Sequence, residues 1–378
     1  MKKIIVFSLL VIIVILFSVQ IRRGALSLLI LIDAVRSPAR PVMGTFIPGP
    51  DVKRVSVSSG DRVIHADLYR PRKDGRFFPL LLVHDLGPAG KDDEHVVLLA
   101  TDLARAGFLV LVPDLQGMKT LRPRTSDAED VLQSFMYLSR TASAGPRGGI
   151  AGIGYGAGPL LLAAADARIR DKVSVVTTVG GYYDLRNVAL FALTGAYEHG
   201  EDRGHVRPDM SLRWMFAYKN LDLVSSVEDR EKLRKIIELR NRYDMTAADR
   251  VARSLGNEGR ALYDFLINND PGRFTPLYER LSLAVREQVY QLSPARAVDY
   301  ITASFIIVHA TDDYAIPYTE SQRLADAVAD KGRVHCALLP QFMQGEPIEP
   351  SIGDRYKRYV LGGWRLFRVM YELLGKAE

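Results

Sequence analysis

Short continuous apolar runs alternate with amphipathic stretches over most of the chain. Lys53–Ser59 and Arg62–Arg70 flank Gly60-Asp61 and predict a two-strand hairpin. Phe78–His84 is an unbroken apolar run, as expected of a strand buried on both faces. Glu94–Gly107 then carries apolar residues at helical spacing, and strand Phe108–Pro113, helix Ser126–Arg140, strand Gly149–Ile153, helix Ala157–Ala165 and strand Val173–Val179 follow. This order predicts an α/β fold with a doubly wound, mostly parallel sheet. The alternation stops over 187–297, where the chain reads helical and highly charged, as in Val227–Lys235, with no buried-strand run. It resumes with strand Ala303–Ala310, helix Thr319–Asp330, strand Val334–Pro340 and a long final helix, Arg355–Leu374. One sheet domain, 51–186 and 298–378, is therefore expected to carry a helical cap, 187–297, inserted between its sixth and seventh strands.

The N-terminal pattern is different. Ile4–Ile21 is an uncharged run of 18 residues between Lys2-Lys3 and Arg22-Arg23. At 1.5 Å per residue it reaches about 27 Å, close to the hydrocarbon thickness of a bilayer. It meets Arg22-Arg23 without a small-x-small cleavage pattern, so 1–23 is expected to be an uncleaved transmembrane anchor, with residues 4–21 in the lipid membrane. Residues 24–50 read as a linker or interfacial segment: Ala25–Ile32 is too short to span, and Ser37–Pro50 holds four prolines and two glycines. The side of the membrane stays open. The arginines after the run favour a cytoplasmic domain, whereas the Met-Lys-Lys start resembles an export signal.

Charge sharpens this picture. The formal net charge is +6, and the first 60 residues alone carry eight basic and two acidic groups, the whole excess. The remaining 318 residues are balanced, which argues against nucleic acid as a partner, since phosphate recognition needs a basic folded surface. Cys336 is the single cysteine, so an internal disulfide and a multi-cysteine metal site are excluded; its apolar neighbours suggest core packing.

Four segments, in order, resemble the α/β-hydrolase family. Val83-His84-Asp85-Leu86-Gly87 stands where that family has its His-Gly oxyanion segment. Val112-Pro113-Asp114-Leu115-Gln116-Gly117 resembles its Pro-Asp-x-x-Gly turn. Gly152-Ile153-Gly154-Tyr155-Gly156 lies where the Gly-x-Ser-x-Gly nucleophile elbow belongs, and Val308–Pro317 resembles the acid loop. The resemblance covers about 51–186 and 299–375 and implies the α/β-hydrolase fold with a cap.

The same resemblance exposes departures. Gly154 takes the nucleophile position and has no side chain to attack anything. The acid is retained, as Asp313 in preference to Asp312. The base position in Leu338–Gly345 is Gln344, and no histidine follows His335. Asp85 replaces the usual glycine of the oxyanion segment, leaving the backbone N–H groups of Leu86 and Tyr155 as oxyanion-equivalent donors. No catalytic residue set is intact, and efficient serine-hydrolase turnover is not expected.

His84, Tyr182, Tyr183 and Asp184 are candidates to line the pocket. Asp92-Asp93-Glu94-His95 reads as a helix cap rather than a metal cluster, and His199, Glu201, Asp202 and His205 as a mobile loop. No metal and no cofactor are implied. The expected function is ligand or protein binding by a membrane-anchored, catalytically degenerate relative. Two alternatives stand beside it: a hydrolase of small esters, thioesters or amides with a non-standard nucleophile, and a structural subunit docking through the cap or the C-terminal helix, where Trp364, Phe367, Met370, Tyr371 and Leu374 share a face.

Overall fold

The computed structural model describes residues 2–34, 36, 41–141, 143–208, 210–332, 334–340 and 352–377; side chains are described from 18 in the first helix and from 361 in the last. Gln344 lies outside the described residues.

Eight strands form one sheet: β1 (Asp51–Ser59), β2 (Arg62–Arg70), β3 (Phe78–Val83), β4 (Phe108–Pro113), β5 (Gly148–Ile153), β6 (Val173–Val179), β9 (Ser304–Ala310) and β10 (Val334–Leu339). Their order is β1-β2-β4-β3-β5-β6-β9-β10. β1 pairs antiparallel with β2, and β2 with β4; every later pairing is parallel. β4 is buried along its whole length and β3 along all but its first residue, which is why both read as uninterrupted apolar runs. Chain order reverses around β3, with β4 on one side and β5 on the other, so the loops leaving β3 and β5 open into the crevice where sheets of this kind place ligands.

Both faces are covered. Helices Ser126–Arg140, Ala157–Ala164 and Thr319–Ala327 pack on one face through Val131, Phe135, Leu160 and Leu324. Helix Glu94–Ala106, the C-terminal helix Ile352–Leu374 and the second half of the N-terminal helix cover the other through Leu103, Val369, Leu373, Leu26 and Ile30.

The N-terminal helix runs unbroken from Lys2 to Ala34, so residues 24–34, read from the sequence as part of a linker, continue it. Leu26 and Ile30 are spaced to bury one stripe, and Asp33, itself buried, accepts the N–H groups of Val42 and Met43 where the chain turns back. Ser18–Arg22 are exposed. Among the described residues no helix is long and apolar enough to cross a membrane, and the side chains of 4–17 lie outside that description.

Between β6 and β9 the chain builds a cap with its own apolar clusters, one around Leu233, Ile236 and Ile237 and one around Phe265 and Phe274. It is not wholly helical. β7 (Ala196–His199) and β8 (Asp202–His205) form a hairpin turned by Gly200 in the left-handed region. β8 is exposed at every position, so no apolar alternation could announce it. The expected loop of His199, Glu201, Asp202 and His205 is this hairpin, and His199 Nε2 lies 2.7 Å from Asp326. No metal-binding cluster occurs among the described residues. Asp93 caps helix Glu94–Ala106 by accepting the N–H groups of His95 and Val96. Cys336, expected in the core, is exposed on the edge strand β10.

Candidate functional site

β5 delivers Gly154 to the centre of the crevice. Its φ of +52° is the left-handed conformation a sharp strand-to-helix turn requires, and glycine adopts it without strain. The turn Gly154–Gly156 leads into helix Ala157–Ala164. Gly156 is needed for a different reason: a Cβ there would lie 2.2 Å from the carbonyl oxygen of His84. The elbow geometry is therefore kept without the nucleophile.

The space above Gly154 belongs to Asp85. A Cβ on residue 154 would stand 2.2 Å from the Asp85 carboxyl carbon. Asp85 Oδ1 accepts the N–H of Leu86 at 2.7 Å and the N–H of Tyr155 at 2.7 Å. The two backbone N–H groups singled out in the sequence are thus both engaged by this carboxylate. Burial, opposed by the two N–H donors and reinforced by the nearby charge of Asp313, leaves the Asp85 carboxyl raised to about 6. Two charge-assisted hydrogen bonds, each worth about 1.5–3 kcal/mol, thus fail to offset the loss of water completely.

His84 holds this arrangement in place. Its Nε2 accepts the N–H of Leu115 at the end of β4, which leaves Nδ1–H to donate to the Asp85 carbonyl at 2.8 Å. Burial lowers the ring's proton affinity, which keeps the neutral tautomer this pair of bonds needs. His84 is thus a buried brace between two strand ends rather than an open wall.

Asp313 lies in the loop after β9. Its Oδ1 accepts the N–H groups of Ala315 and Ile316, and its Oδ2 stands 3.5 Å from His309 Nε2. His309 has a partner within reach of each ring nitrogen. It is buried, its Nδ1 faces the Ser321 hydroxyl at 2.7 Å, and its Nε2 lies 3.0 Å from the Ile316 carbonyl.

Tyr182, Tyr183 and Asp184 form one of the two stems joining body to cap. The Tyr182 hydroxyl donates to the Leu292 carbonyl, Leu185 N–H donates to Ser293 Oγ, and Ala295 N–H donates to the Tyr183 carbonyl. The departing and returning chains are thereby stitched together. Glu320, buried on helix Thr319–Ala327, accepts the N–H groups of Tyr183 and Asp184 and the Asn187 side-chain amide, at the N-terminus of cap helix Leu185–Thr194. A carboxylate suits that helix end, yet burial still lifts Glu320 to about 7.

Beyond the stem lies a cavity of about 200 Å³ between the elbow and the cap. Tyr155 forms its floor; Leu185, Val188, Ala189, Ala192, Phe216, Phe265, Val289 and Leu292 are among its walls. The Tyr155 ring packs against Tyr182 at 5.8 Å and cap residue Phe216 at 5.6 Å. Burial holds the Tyr155 hydroxyl far above its ordinary range, so it stays neutral. Arg213 also touches the cavity, with its guanidinium donating to the carbonyls of Leu193, Leu266 and Asn268. It thereby caps the C-terminal ends of two cap helices. Sequence reasoning missed most of these cavity residues, because they come from cap helices whose apolar positions look like ordinary packing.

No protein-family model matches the chain, and no curated protein matches it. Among solved structures it is similar to an acylaminoacyl peptidase of Pyrococcus horikoshii, with 14% identity over 89% of this chain and 43% of that one, at a TM-score of 0.51. An acylaminoacyl peptidase in complex with Z-Gly-Gly-Phe-chloromethyl ketone matches at 14% identity, 89% and 42% coverage and a TM-score of 0.50. The chain spans less than half the length of these peptidases. With the sheet order and the elbow, the likeness shows that this chain has the α/β-hydrolase fold.

Proposed function

We propose that this protein is a catalytically silent α/β-hydrolase-fold protein that binds a small apolar ligand in the cavity beneath its cap, and that residues 4–21 tether it to a membrane. The observation that carries the reading is the Asp85 carboxylate, whose Oδ1 occupies both oxyanion-equivalent donors above a residue that has no side chain. An acyl-transfer transition state needs those donors free for its own oxyanion. The cavity supports binding instead: it is almost wholly aliphatic and aromatic, as suits a hydrocarbon chain or another apolar group.

The test uses the full-length protein in detergent or vesicles. A fluorophosphonate probe is expected to leave it unlabelled, and a panel of chromogenic esters, thioesters and amides to show no turnover above background. A fluorescent alkyl probe is expected to bind with one site per chain. Stoichiometric fluorophosphonate labelling, or turnover abolished by Asp313→Ala, would overturn the silent-enzyme reading; absence of any alkyl-probe binding would overturn the ligand reading.

A further inference from the structure

Three aromatic rings on the C-terminal helix form a ladder. Trp364 and Phe367 stack at 5.5 Å, and Phe367 meets Tyr371 at 5.9 Å. The ladder leans on a particular stretch of the N-terminal helix. Arg23 lies over the Tyr371 ring at 4.8 Å, and a Cβ on Gly24 would touch Phe367 at 3.8 Å. Arg23 and Gly24 are where the 18-residue apolar run has just ended. Among the described residues the outer end of the ladder is uncovered: Trp364 is 58% exposed and Leu361 53% exposed. Ile21, one turn up the N-terminal helix from Gly24, is 60% exposed. Arg22 and Arg368 are exposed on the same two helices, while Arg365 donates to the Leu338 carbonyl on the sheet edge.

The geometry points to a second membrane contact: the Trp364–Phe367 edge, with Arg22 and Arg368, rests in the headgroup layer of an anionic bilayer at the depth fixed by the end of the apolar run. This rests on the reading that residues 4–21 enter the membrane. Tryptophan and tyrosine favour that layer because an apolar ring and a polar edge are satisfied there together. Exposed arginines near an anionic leaflet add electrostatic attraction to the contact. The ladder turns a single-helix tether into a two-helix seat. The body is then held at one height and one tilt, because the helix that carries the tether is packed into the core through Leu26 and Ile30.

The chain has only two tryptophans, and Trp214 is buried in the cap, so Trp364 can report alone. Full-length Trp214→Phe protein would be reconstituted in phosphatidylcholine–phosphatidylglycerol vesicles containing lipids brominated either near the headgroup or near the chain end. Trp364 emission is expected to be quenched at least about twofold more by the shallow label. Should Trp214→Phe fold poorly, the difference between wild type and Trp364→Phe gives the same quantity. Water-like emission, open to acrylamide and untouched by either lipid label while the protein resists carbonate extraction, would overturn the ladder and leave the anchor intact. Blue-shifted emission without lipid quenching would also overturn it, by placing Trp364 against a second copy of the chain. Release by carbonate would overturn the anchor reading and the ladder with it.

Discussion

Asp85 Oδ1 lies 2.7 Å from the Tyr155 amide nitrogen, across a sequence separation of 70 residues. This contact joins the end of β3 to the turn after β5 and sets a carboxylate against Gly154. Its energetics fix the sign of a pH effect. The folded protein holds the Asp85 proton up to about 6, above the ordinary 3.8, so this group's contribution to stability is fullest below 3.8 and is lost as pH rises through 6. Asp85→Asn keeps an acceptor for both amides and removes the charge. The variant is expected to be more stable than wild type by up to about 3 kcal/mol near pH 8, with the gain falling below about 1 kcal/mol near pH 4. Denaturant titrations at the two pH values decide it; a difference that does not vary with pH would refute the assignment.

Refilling the nucleophile position alone should be costly. In Gly154→Ser the new Cβ collides with the Asp85 carboxylate and must accept a left-handed φ, for a loss of about 1–3 kcal/mol. Adding Asp85→Gly removes the collision. A double-mutant cycle on unfolding free energy is expected to show about 1–2 kcal/mol of coupling in favour of the double variant. Simple additivity would mean that the two residues do not share that space.

Glu320 should matter locally. Glu320→Ala leaves the N–H groups of Tyr183 and Asp184 without their acceptor, at about 1–3 kcal/mol for each buried donor. Hydrogen exchange is expected to quicken in helix Leu185–Thr194 and the stem while β3, β4 and β5 keep their protection. Glu320→Gln, which retains an acceptor oxygen, should lose less. Uniform acceleration across the sheet would contradict a clamp confined to the cap.

The cavity can be filled without touching the elbow. Ala192→Phe places a ring in the space bounded by Val188, Phe216 and Phe265. Alkyl-probe affinity should fall at least about tenfold, or 1.4 kcal/mol, while Ala106→Ser, on helix Glu94–Ala106 of the opposite sheet face, leaves it unchanged. Undiminished affinity in Ala192→Phe would place the probe elsewhere.

The sheet was legible because β3, β4 and β5 are buried so completely that their residues have no polar face to show, and helix periodicity fills the gaps between them. Gly154 and Asp313 were legible because elbow and acid loop impose glycines, an acid and a proline at fixed offsets. Other features leave no such trace. That an aspartate follows His84 is plain in the sequence; that its carboxylate folds back onto the Leu86 and Tyr155 amides depends on two strand ends meeting in space. The hairpin β7–β8 is solvent-exposed and polar, so its period of two carries no apolar signal. Residues 24–34 are flanked by a proline-rich stretch that suggested a linker, and only burial of Leu26 and Ile30 against the C-terminal helix reveals a continued helix. Cys336 sits among apolar neighbours on a strand that turns out to be the sheet edge, and it is the one exposed position of that strand.

The hold of Asp85 on the two amides can also be viewed as a competition. The carboxylate is carried by the residue that builds one wall of the site, so it acts as a tethered ligand, and tethered groups work at effective concentrations from millimolar to many molar. A carboxylic acid, phosphonate or phosphate arriving from solution meets an occupant it cannot dilute away. The turn at Gly154 therefore keeps an acid group that never leaves, and the proton is the one solute small enough to change that occupant's charge without displacing it.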